Sequence, residues 1–147
     1  MPFLRSTTID TIMSKPAFVD YDANLIEVTK KLLQTKKGCV FVTRVGKLIG
    51  IITDRDIQRL ILRDAGIISP DITAKEFMVK PVVKIFRSAS IEEADQLMHD
   101  EKVNRLAIID KVNPDKVIGF VDYNTTHAEI VTKFAKSLIE RRKYFDG

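Results

Sequence analysis

Hydrophobic and polar residues follow two different periods along the chain, and the same order of periods occurs twice. In the first occurrence the short extended run "AFVDY" precedes a helical pattern that places Ile26, Leu32 and Leu33 on one face. Two β-branched runs, "CVFVT" and "LIGIIT", then predict a hairpin. A second helix is predicted at 54–65, where Gly66 stops it. The pattern therefore predicts the element order β-α-β-β-α.

The second occurrence repeats this order with different residues. The run "VVKIF" precedes a helix, the runs "RLAIID" and "VIGFV" predict a hairpin, and a last helix is predicted at 125–143. The first helix of each copy has a capping-box spacing at its start, Asn24 with Glu27 and Ser90 with Glu93. The apolar face of this first helix in the second copy is predicted to contain Ile91, Ala94, Leu97 and Met98.

The two copies form an internal repeat, joined by the linker "GIISPDIT". Residues 11–37 match 76–102 at a shift of 65 without a gap, while the stretches "GIITDRD" and "GFVDYNT" lie 69 apart. A single copy of about 60 residues would leave one sheet face exposed and is a marginal fold. We therefore predict an α/β (α+β) fold in which two β-α-β-β-α repeats, at 1–70 and 71–147, pack sheet against sheet with pseudo-twofold symmetry. The last helix extends the second repeat.

Composition restricts the class of protein. Of the 147 residues, 45% are apolar and 30% are charged, and no apolar run approaches the ~20 residues that span a bilayer, so no membrane partner is predicted. The N-terminal sequence lacks a secretory signal pattern and Cys39 is the only cysteine, which favours a cytoplasmic location. The net charge of +4 is modest. Neither His99 nor His127 has a second ligand at metal-binding spacing, so no metal and no cofactor are predicted.

The stretch "GIITDRD" carries the candidate chemistry. Thr53 has the type and position of a helix N-cap, and Asp56 lies in the first helical turn. Free backbone N–H groups at a helix start attract phosphate, and Arg55 adds a charged donor. The Asp56 carboxylate can accept two hydrogen bonds from a ribose diol, and Gly50 permits close backbone approach. The motif can hold a ribose-phosphate; alternatively, it is an ordinary helix start beside a solvated arginine.

The whole period resembles a tandem pair of cystathionine-β-synthase (CBS) domains, called a Bateman module. The resemblance rests on "TIMSKPAFVDYDANLIEV…GKLIGIITDRDI" and "EFMVKPVVKIFRSASIEEA…DKVIGFVDYNT", and it covers roughly residues 8–130. It implies a free-standing regulatory module that senses an adenine nucleotide (AMP, ADP or ATP) or another adenosyl ligand such as S-adenosylmethionine. It also implies a homodimer and an effector protein as the partner, since the sequence shows no effector domain.

In this family each cleft combines the Thr-x-x-Asp of one repeat with the opening segment of the other. The resemblance implies that Asp56 holds the ribose of the ligand. Thr53, Arg55 and Lys80 would contact the phosphates, and apolar residues would form the wall around the adenine. The implied members of this first site are Ile51, Thr53, Arg55, Asp56, Met78, Lys80, Pro81, Val83 and Val103.

The second implied site departs from the family pattern. Thr125 stands where a ribose-binding carboxylate is expected. Asp122 puts a negative charge in place of a hydroxyl and repels phosphate unless Arg105 neutralises it. We therefore predict one competent site and one degenerate site, the latter comprising Met13, Pro16, Phe18, Arg105, Phe120, Asp122 and Thr125.

Several interpretations compete with these site assignments. The methionines and valines of the two sites also fit core packing, and Cys39 fits an inert structural thiol. The sequence contains no Walker loop, dinucleotide fingerprint or catalytic triad pattern, so an enzyme is not predicted. Two alternatives remain, a ligand-free structural dimerisation module and a nucleic-acid-binding protein that uses the basic "ERRKYF". The second alternative lacks a recognisable motif.

The last helix places several apolar residues along one stripe. These residues are Ile130, Val131, Phe134, Leu138 and Tyr144. They either pack on their own sheet or dock on a sister subunit or an effector, and the sequence favours neither.

Overall fold

A computed structural model describes residues 7–146, with side chains described for residues 7–143. Tyr144, the last residue of the predicted apolar stripe, therefore has a side chain outside the described part. The elements are Phe18–Asp20 (β1), Leu25–Thr35 (α1), Cys39–Arg44 (β2), Lys47–Thr53 (β3), Asp54–Arg63 (α2), Ala74–Phe77 (α3), Lys84–Phe86 (β4), Ile91–Glu101 (α4), Arg105–Ile109 (β5), Val117–Asp122 (β6) and Tyr123–Asp146 (α5). The predicted β-α-β-β-α order is present in both copies.

Each repeat forms its own three-stranded sheet with the same pairing. In the order β1-β2-β3 the first pair is parallel and the second antiparallel, and the order β4-β5-β6 repeats this arrangement. The strand β2 is buried on both faces, and β3 alternates between buried and partly exposed residues, which fixes the register of the hairpin. The predicted mixed fold of two repeats is confirmed.

The two sheets pack face to face around a shared core. Phe41 of the first sheet and Phe120 of the second meet edge to face, with ring centroids 5.9 Å apart, and both are buried. Such aromatic pairs add to the free energy of burial. The rest of this central core is formed by Cys39, Leu48, Ala107 and Val117. Each repeat therefore covers the sheet face that the other would leave exposed.

The repeats also exchange their leading segments. A short 3₁₀ turn at Ile9–Thr11 packs on the second sheet, where the Ile9 N–H donates to the Ala89 carbonyl at 2.7 Å. In the same way Ala74 of α3 is fully buried in the core of the first repeat, and its N–H donates to the Ala23 carbonyl at 2.8 Å. The chain that opens each repeat is thus held by the other one.

One extra residue in the second copy corrects the gap-free match of the sequences. The carbonyls of Ala17 and Val83 accept equivalent hydrogen bonds from the following sheet, although Met13 and Met78 occupy equivalent places in front of them. Ala17 follows Met13 by four positions, whereas Val83 follows Met78 by five. From β1 to α1 the true shift is therefore 66.

The buried face of α1 follows the corrected shift. Val28 and Leu32 are buried and correspond to Ala94 and Met98 of α4. The prediction for Leu32 is confirmed, but the predictions for Ile26 and Leu33 are wrong, since they are 49% and 73% exposed. The identity of Ile26 with Ile91 supported a match one residue out of phase.

Candidate functional site

A cleft of about 660 Å³ lies between the repeats at the carboxyl end of β3 and the start of α2. Its opposite wall comes from the segment before β4 and from the residues between α4 and β5. Seven of the nine residues assigned to the first site line this cleft. They are Ile51, Thr53, Arg55, Asp56, Pro81, Val83 and Val103.

The polar centre of the cleft is a reciprocal capping box at the start of α2. The Asp56 Oδ2 accepts from the Thr53 N–H at 2.8 Å and from the Thr53 hydroxyl at 3.0 Å, and the Asp56 N–H donates to the Thr53 hydroxyl at 3.4 Å. Asn24 and Ser90 also accept from the N–H groups of Glu27 and Glu93, as predicted for helix caps. The box explains why a carboxylate stands here in a buried position.

Asp56 retains capacity for a ligand beyond the cap. Its Oδ1 accepts one hydrogen bond at 3.3 Å from Arg59, whose side chain is 66% exposed while that of Asp56 is 7% exposed. A carboxylate offers about four acceptor positions, and the cap and Arg59 together use three. A ribose diol can therefore donate a hydrogen bond to Asp56 Oδ1, either beside the exposed Arg59 guanidinium or in its place.

Several residues that line the cleft were missed by sequence reasoning. Arg59 lies one helical turn after Arg55, a signal that helical periodicity offered. Tyr123 and Asn124 enter because the pseudo-twofold brings the start of α5 beside the start of α2, which the motif could not show. Further missed lining residues are Asp54, Val79, Val82, Lys102 and Asn104.

Met78 and Lys80, the other two residues assigned to the first site, lie outside the cleft. An isolated bridge pairs Val79 with Ile51, with N···O distances of 3.0 and 2.9 Å, and fixes this segment along the edge of β3. Met78 packs its side chain over Gly50, and both Met78 and Lys80 line a separate groove. Gly50 thus gives space to Met78, and Gly119 gives space to Met13 in the same way.

Five of the seven residues assigned to the second site lie in three different places. Pro16 and Phe18 line a depression of about 420 Å³, and Phe120 is buried in the central core. Arg105 and Asp122, which are cross-strand partners in β5 and β6, line the cleft of the first site. The remaining residues have packing or backbone roles: Met13 fills the space above Gly119, and the Thr125 N–H donates to Asp122 Oδ1 at 2.8 Å.

A buried thiol and a guanidinium lie between the two halves of the molecule. Burial raises the pKa of Cys39 to about 11, and the neighbouring Arg105 partly offsets this increase. The Arg105 Nη2 and the Asp54 Oδ2 both lie beside Gly38, while the buried Arg105 Nε–H has no hydrogen-bond partner among the described residues. Cys39 is therefore a protonated core residue at neutral pH.

The described residues 7–146 offer neither a membrane-spanning helix nor a metal site. They contain no helix that is long and apolar enough to cross a membrane. No group of three or more His, Cys, Asp or Glu side chains among them is arranged to hold a metal ion.

Comparison with known proteins identifies the family of this chain. The model of the CBS domain family matches residues 9–63 and 74–125. The chain is 29% identical over 119 residues to arabinose 5-phosphate isomerase KpsF from Escherichia coli, a match that covers 80% of this chain and 35% of that one. The chain spans about a third or less of the length of the first curated relatives it matches.

Solved structures share the fold at low sequence identity. The CBS domain pair of protein MJ0100, in complex with 5′-methylthioadenosine and S-adenosyl-L-methionine, has a TM-score of 0.74 at 21% identity, covering 88% of this chain and 99% of that one. The CBS domain protein PAE2072 from Pyrobaculum aerophilum, complexed with AMP, has a TM-score of 0.70 at 15% identity, covering 81% and 89%. The two matched segments together span well over half of the sequence, and the chain belongs to the CBS domain family.

Proposed function

We propose that the protein is a regulatory module that binds an adenine nucleotide or another adenosyl ligand in the cleft beside Thr53 and Asp56. The observation that carries the proposal is the buried Asp56 carboxylate, which lines an inter-repeat cleft and keeps capacity to accept a further hydrogen bond. Two structural neighbours were solved with AMP and with S-adenosyl-L-methionine and 5′-methylthioadenosine. Their ligands share an adenosyl group, which supports this ligand class.

Each part of the ligand has a chemical counterpart in the cleft. Ile51, Val83 and Val103 offer apolar surface for the adenine. Asp56 would accept hydrogen bonds from the ribose hydroxyls. Arg55 and Lys102 are exposed cations on the cleft wall and would attract phosphate. This assignment replaces Lys80, which lies in another groove, by Lys102.

We propose that the chain has one competent ligand site and that the second implied site is degenerate. Asp122 caps α5 through the Thr125 N–H, and no ion pair joins it to Arg105 among the described side chains. The residues assigned to the second site do not share one cavity, since Pro16 and Phe18 line a separate depression while Arg105 and Asp122 line the cleft of the first site. We expect one ligand per chain, measured by isothermal titration calorimetry, and two equivalent ligands per chain would contradict this stoichiometry.

The deciding experiment is a titration with AMP, ADP, ATP, S-adenosylmethionine and GMP, read by calorimetry and by thermal shift. Ligand at about a hundredfold its Kd stabilises the native state by roughly 2.7 kcal/mol, which raises Tm by several degrees. Asp56→Asn should abolish the shift while keeping an oxygen for the cap. Glu76→Gln is the matched control, because Glu76 accepts from the Thr73 N–H at 2.6 Å in an equivalent capping box away from the cleft.

The outcomes separate the proposal from its alternatives. Binding confined to adenosyl ligands and lost in Asp56→Asn alone supports it. A folded protein that binds none of the five ligands would contradict it and favour a ligand-free dimerisation module. Hydrolysis of a nucleotide above background would contradict the assignment as a non-enzymatic sensor. Salt-sensitive binding of an oligonucleotide that is lost when residues 140–147 are deleted would favour the nucleic-acid alternative.

We propose that the chain forms a homodimer and that this dimer transmits ligand binding in the cleft to an effector protein. Of the predicted stripe on α5, Ile130 packs against the core of the second repeat, whereas Val131, Phe134 and Leu138 are 53%, 50% and 46% exposed, and the nearby Ile139 is 57% exposed. Ile61 and Leu62 of α2 are exposed as well, at 46% and 80%. Apolar side chains on a helix that does not bury them are typical of an interface. Phe134→Glu should convert a dimer to a monomer in light scattering, and an unchanged mass would contradict this interface.

A further inference from the structure

A groove of about 1010 Å³ lies on the other side of the segment that walls the cleft. The two cavities share only Pro81 and Val82, so this segment separates them. The floor of the groove is apolar and is formed by Leu48, Ile49 and Met78. Its volume is at the upper end of the range found for small-molecule sites.

Four cations and no carboxylate line this groove. They are Arg44, Lys75, Lys80 and Lys84. Arg44 and Lys75 are held over the ring of Tyr21, at 4.9 and 5.4 Å from its centroid. Among the side chains that the structure describes, none of the four cations lies within ion-pair distance of a carboxylate. Like charges collected in one concave site attract anions.

The second repeat shows what the same place looks like when its charges are paired. The N–H groups of Tyr21 and Arg87 donate to the equivalent carbonyls of Thr43 and Ile109, at 2.9 and 3.1 Å. Tyr21 and Arg87 are therefore equivalent positions. Where Tyr21 has two cations beside it, Arg87 has two carboxylates, Asp10 at 3.2 Å and Asp110 at 3.7 Å.

The comparison isolates the charge arrangement as a property of the first repeat. Arg44 follows Thr43 just as Asp110 follows Ile109, and Lys75 in the α3 segment corresponds to Asp10 in the 3₁₀ turn. The backbone hydrogen bonds at these positions are equivalent in the two repeats, so packing alone does not require cations in one and an ion-pair cluster in the other. A bound anion would supply to Arg44 and Lys75 the negative charge that Asp10 and Asp110 supply to Arg87.

We propose that this cationic groove binds a small molecule carrying at least two phosphate groups, at a site separate from the adenosyl cleft. The four cations would contact the phosphates, and the apolar floor would contact the organic part. Because Lys80 stands one residue before the shared wall, binding there would bear on the wall of the cleft through Pro81. The proposal rests on the groove itself and holds whether or not the cleft binds an adenosyl ligand.

The test uses inorganic tripolyphosphate, which carries the charge of such a ligand without a nucleoside. Calorimetric titration of the full chain should show one site whose affinity falls when salt is raised from about 0.05 to about 0.5 M. The double variant Arg44→Gln/Lys84→Gln should lower the affinity by at least about tenfold, since charge-assisted hydrogen bonds are the strong ones. The matched control is Lys111→Gln/Lys116→Gln, which removes the same charge from the second repeat, where Lys111 lies over Phe86 at 5.6 Å.

Variants of the cleft make the result assignable. Arg55→Gln and Asp56→Asn should leave tripolyphosphate affinity unchanged, and the groove variant should leave AMP affinity within about twofold, as expected for separate sites. Loss of tripolyphosphate binding in Arg55→Gln would place the anion in the cleft and overturn the proposal. Equal losses in the groove variant and its control would reveal a general charge effect and overturn it too. Absence of tripolyphosphate binding at low salt would have the same consequence.

Discussion

Replacing Gly50 with alanine tests the packing that fixes the wall of both cavities. A Cβ at position 50 would lie 2.8 Å from the Met78 Cγ and 3.0 Å from its Cβ, and closer still to the sulfur. Rotating the end of the Met78 side chain would not relieve the contact with its Cβ. That atom is held in place because the next residue, Val79, is bridged to Ile51. The strand edge or the segment before β4 must therefore move.

The expected cost follows from this overlap. Overpacking a well-filled site costs about 1–3 kcal/mol, and the smaller conformational freedom of unfolded alanine returns about 0.4–1 kcal/mol. We expect a net loss of about 1–2 kcal/mol in the free energy of unfolding and a decrease in Tm of about 3–6 °C. Urea denaturation and calorimetry measure both. The affinity of the cleft for AMP should also fall, because the displaced segment forms its wall.

A double-mutant cycle tells steric overlap apart from other effects. Met78→Ala removes the Cγ and the sulfur, so Gly50→Ala/Met78→Ala should be more stable than the sum of the single changes by about 1 kcal/mol or more. Gly50→Ala/Met13→Ala is the matched control and should be additive, since Met13 contacts Gly119. A neutral Gly50→Ala, or equal coupling in both cycles, would refute the account of Met78 as the residue for which Gly50 makes room.

Three further predictions concern single residues. At pH 8 about a thousandth of the Cys39 thiol is ionised, because its pKa is about 11. Native protein should therefore react with a thiol reagent far more slowly than urea-unfolded protein, and comparable rates would contradict the burial of Cys39. Thr53→Ala should lower the free energy of unfolding by about 1 kcal/mol through loss of the α2 cap, with Thr53→Ser as a near-neutral comparison in thermal denaturation. Asp122→Asn should keep the α5 cap and leave Tm nearly unchanged, whereas Asp122→Ala should lower the free energy of unfolding by about 1 kcal/mol, and equal effects of the two changes would contradict a capping role.

The element order and the pairing of two sheets could be predicted because they depend on periodicity that survives in both copies. The exchange of leading segments could not be predicted, because it depends on contacts such as that between Ile9 and Ala89, far apart in sequence. The extra residue before β4 stayed hidden because identities at a shift of 65 occur on both sides of it, Pro16 with Pro81 before it and Ile26 with Ile91 after it. As a consequence the sequence match was wrong by one residue along α1, and Ile26 and Leu33, which were predicted on the buried face, are exposed.

The candidate cleft was predictable where the motif itself lines it and not where the wall depends on direction. Thr53 and Asp56 lie at the cleft because a helix starts where the strand ends. The orientation of Met78 and Lys80 depends on the bridge between Val79 and Ile51, which no local pattern encodes. Pairing along the β3 edge places these two side chains in the other groove, so a family role for Lys80 does not transfer by sequence match alone.

The way the repeats differ separates what the fold requires from what a ligand requires. They agree where packing decides: both place a methionine over a strand glycine, and both bridge the opening segment to the opposite hairpin. They differ at the starts of α2 and α5, where Thr53 and Asp56 of the first repeat correspond to Asp122 and Thr125 of the second. They also differ at the equivalent positions Tyr21 and Arg87, since Tyr21 has cations beside it and Arg87 has carboxylates. All these differences lie at cavities or exposed surface, where the core imposes no constraint on charge. We therefore propose that two anion-binding sites, the cleft and the groove, explain why the cations beside Tyr21 have no carboxylate partner where Arg87 has two.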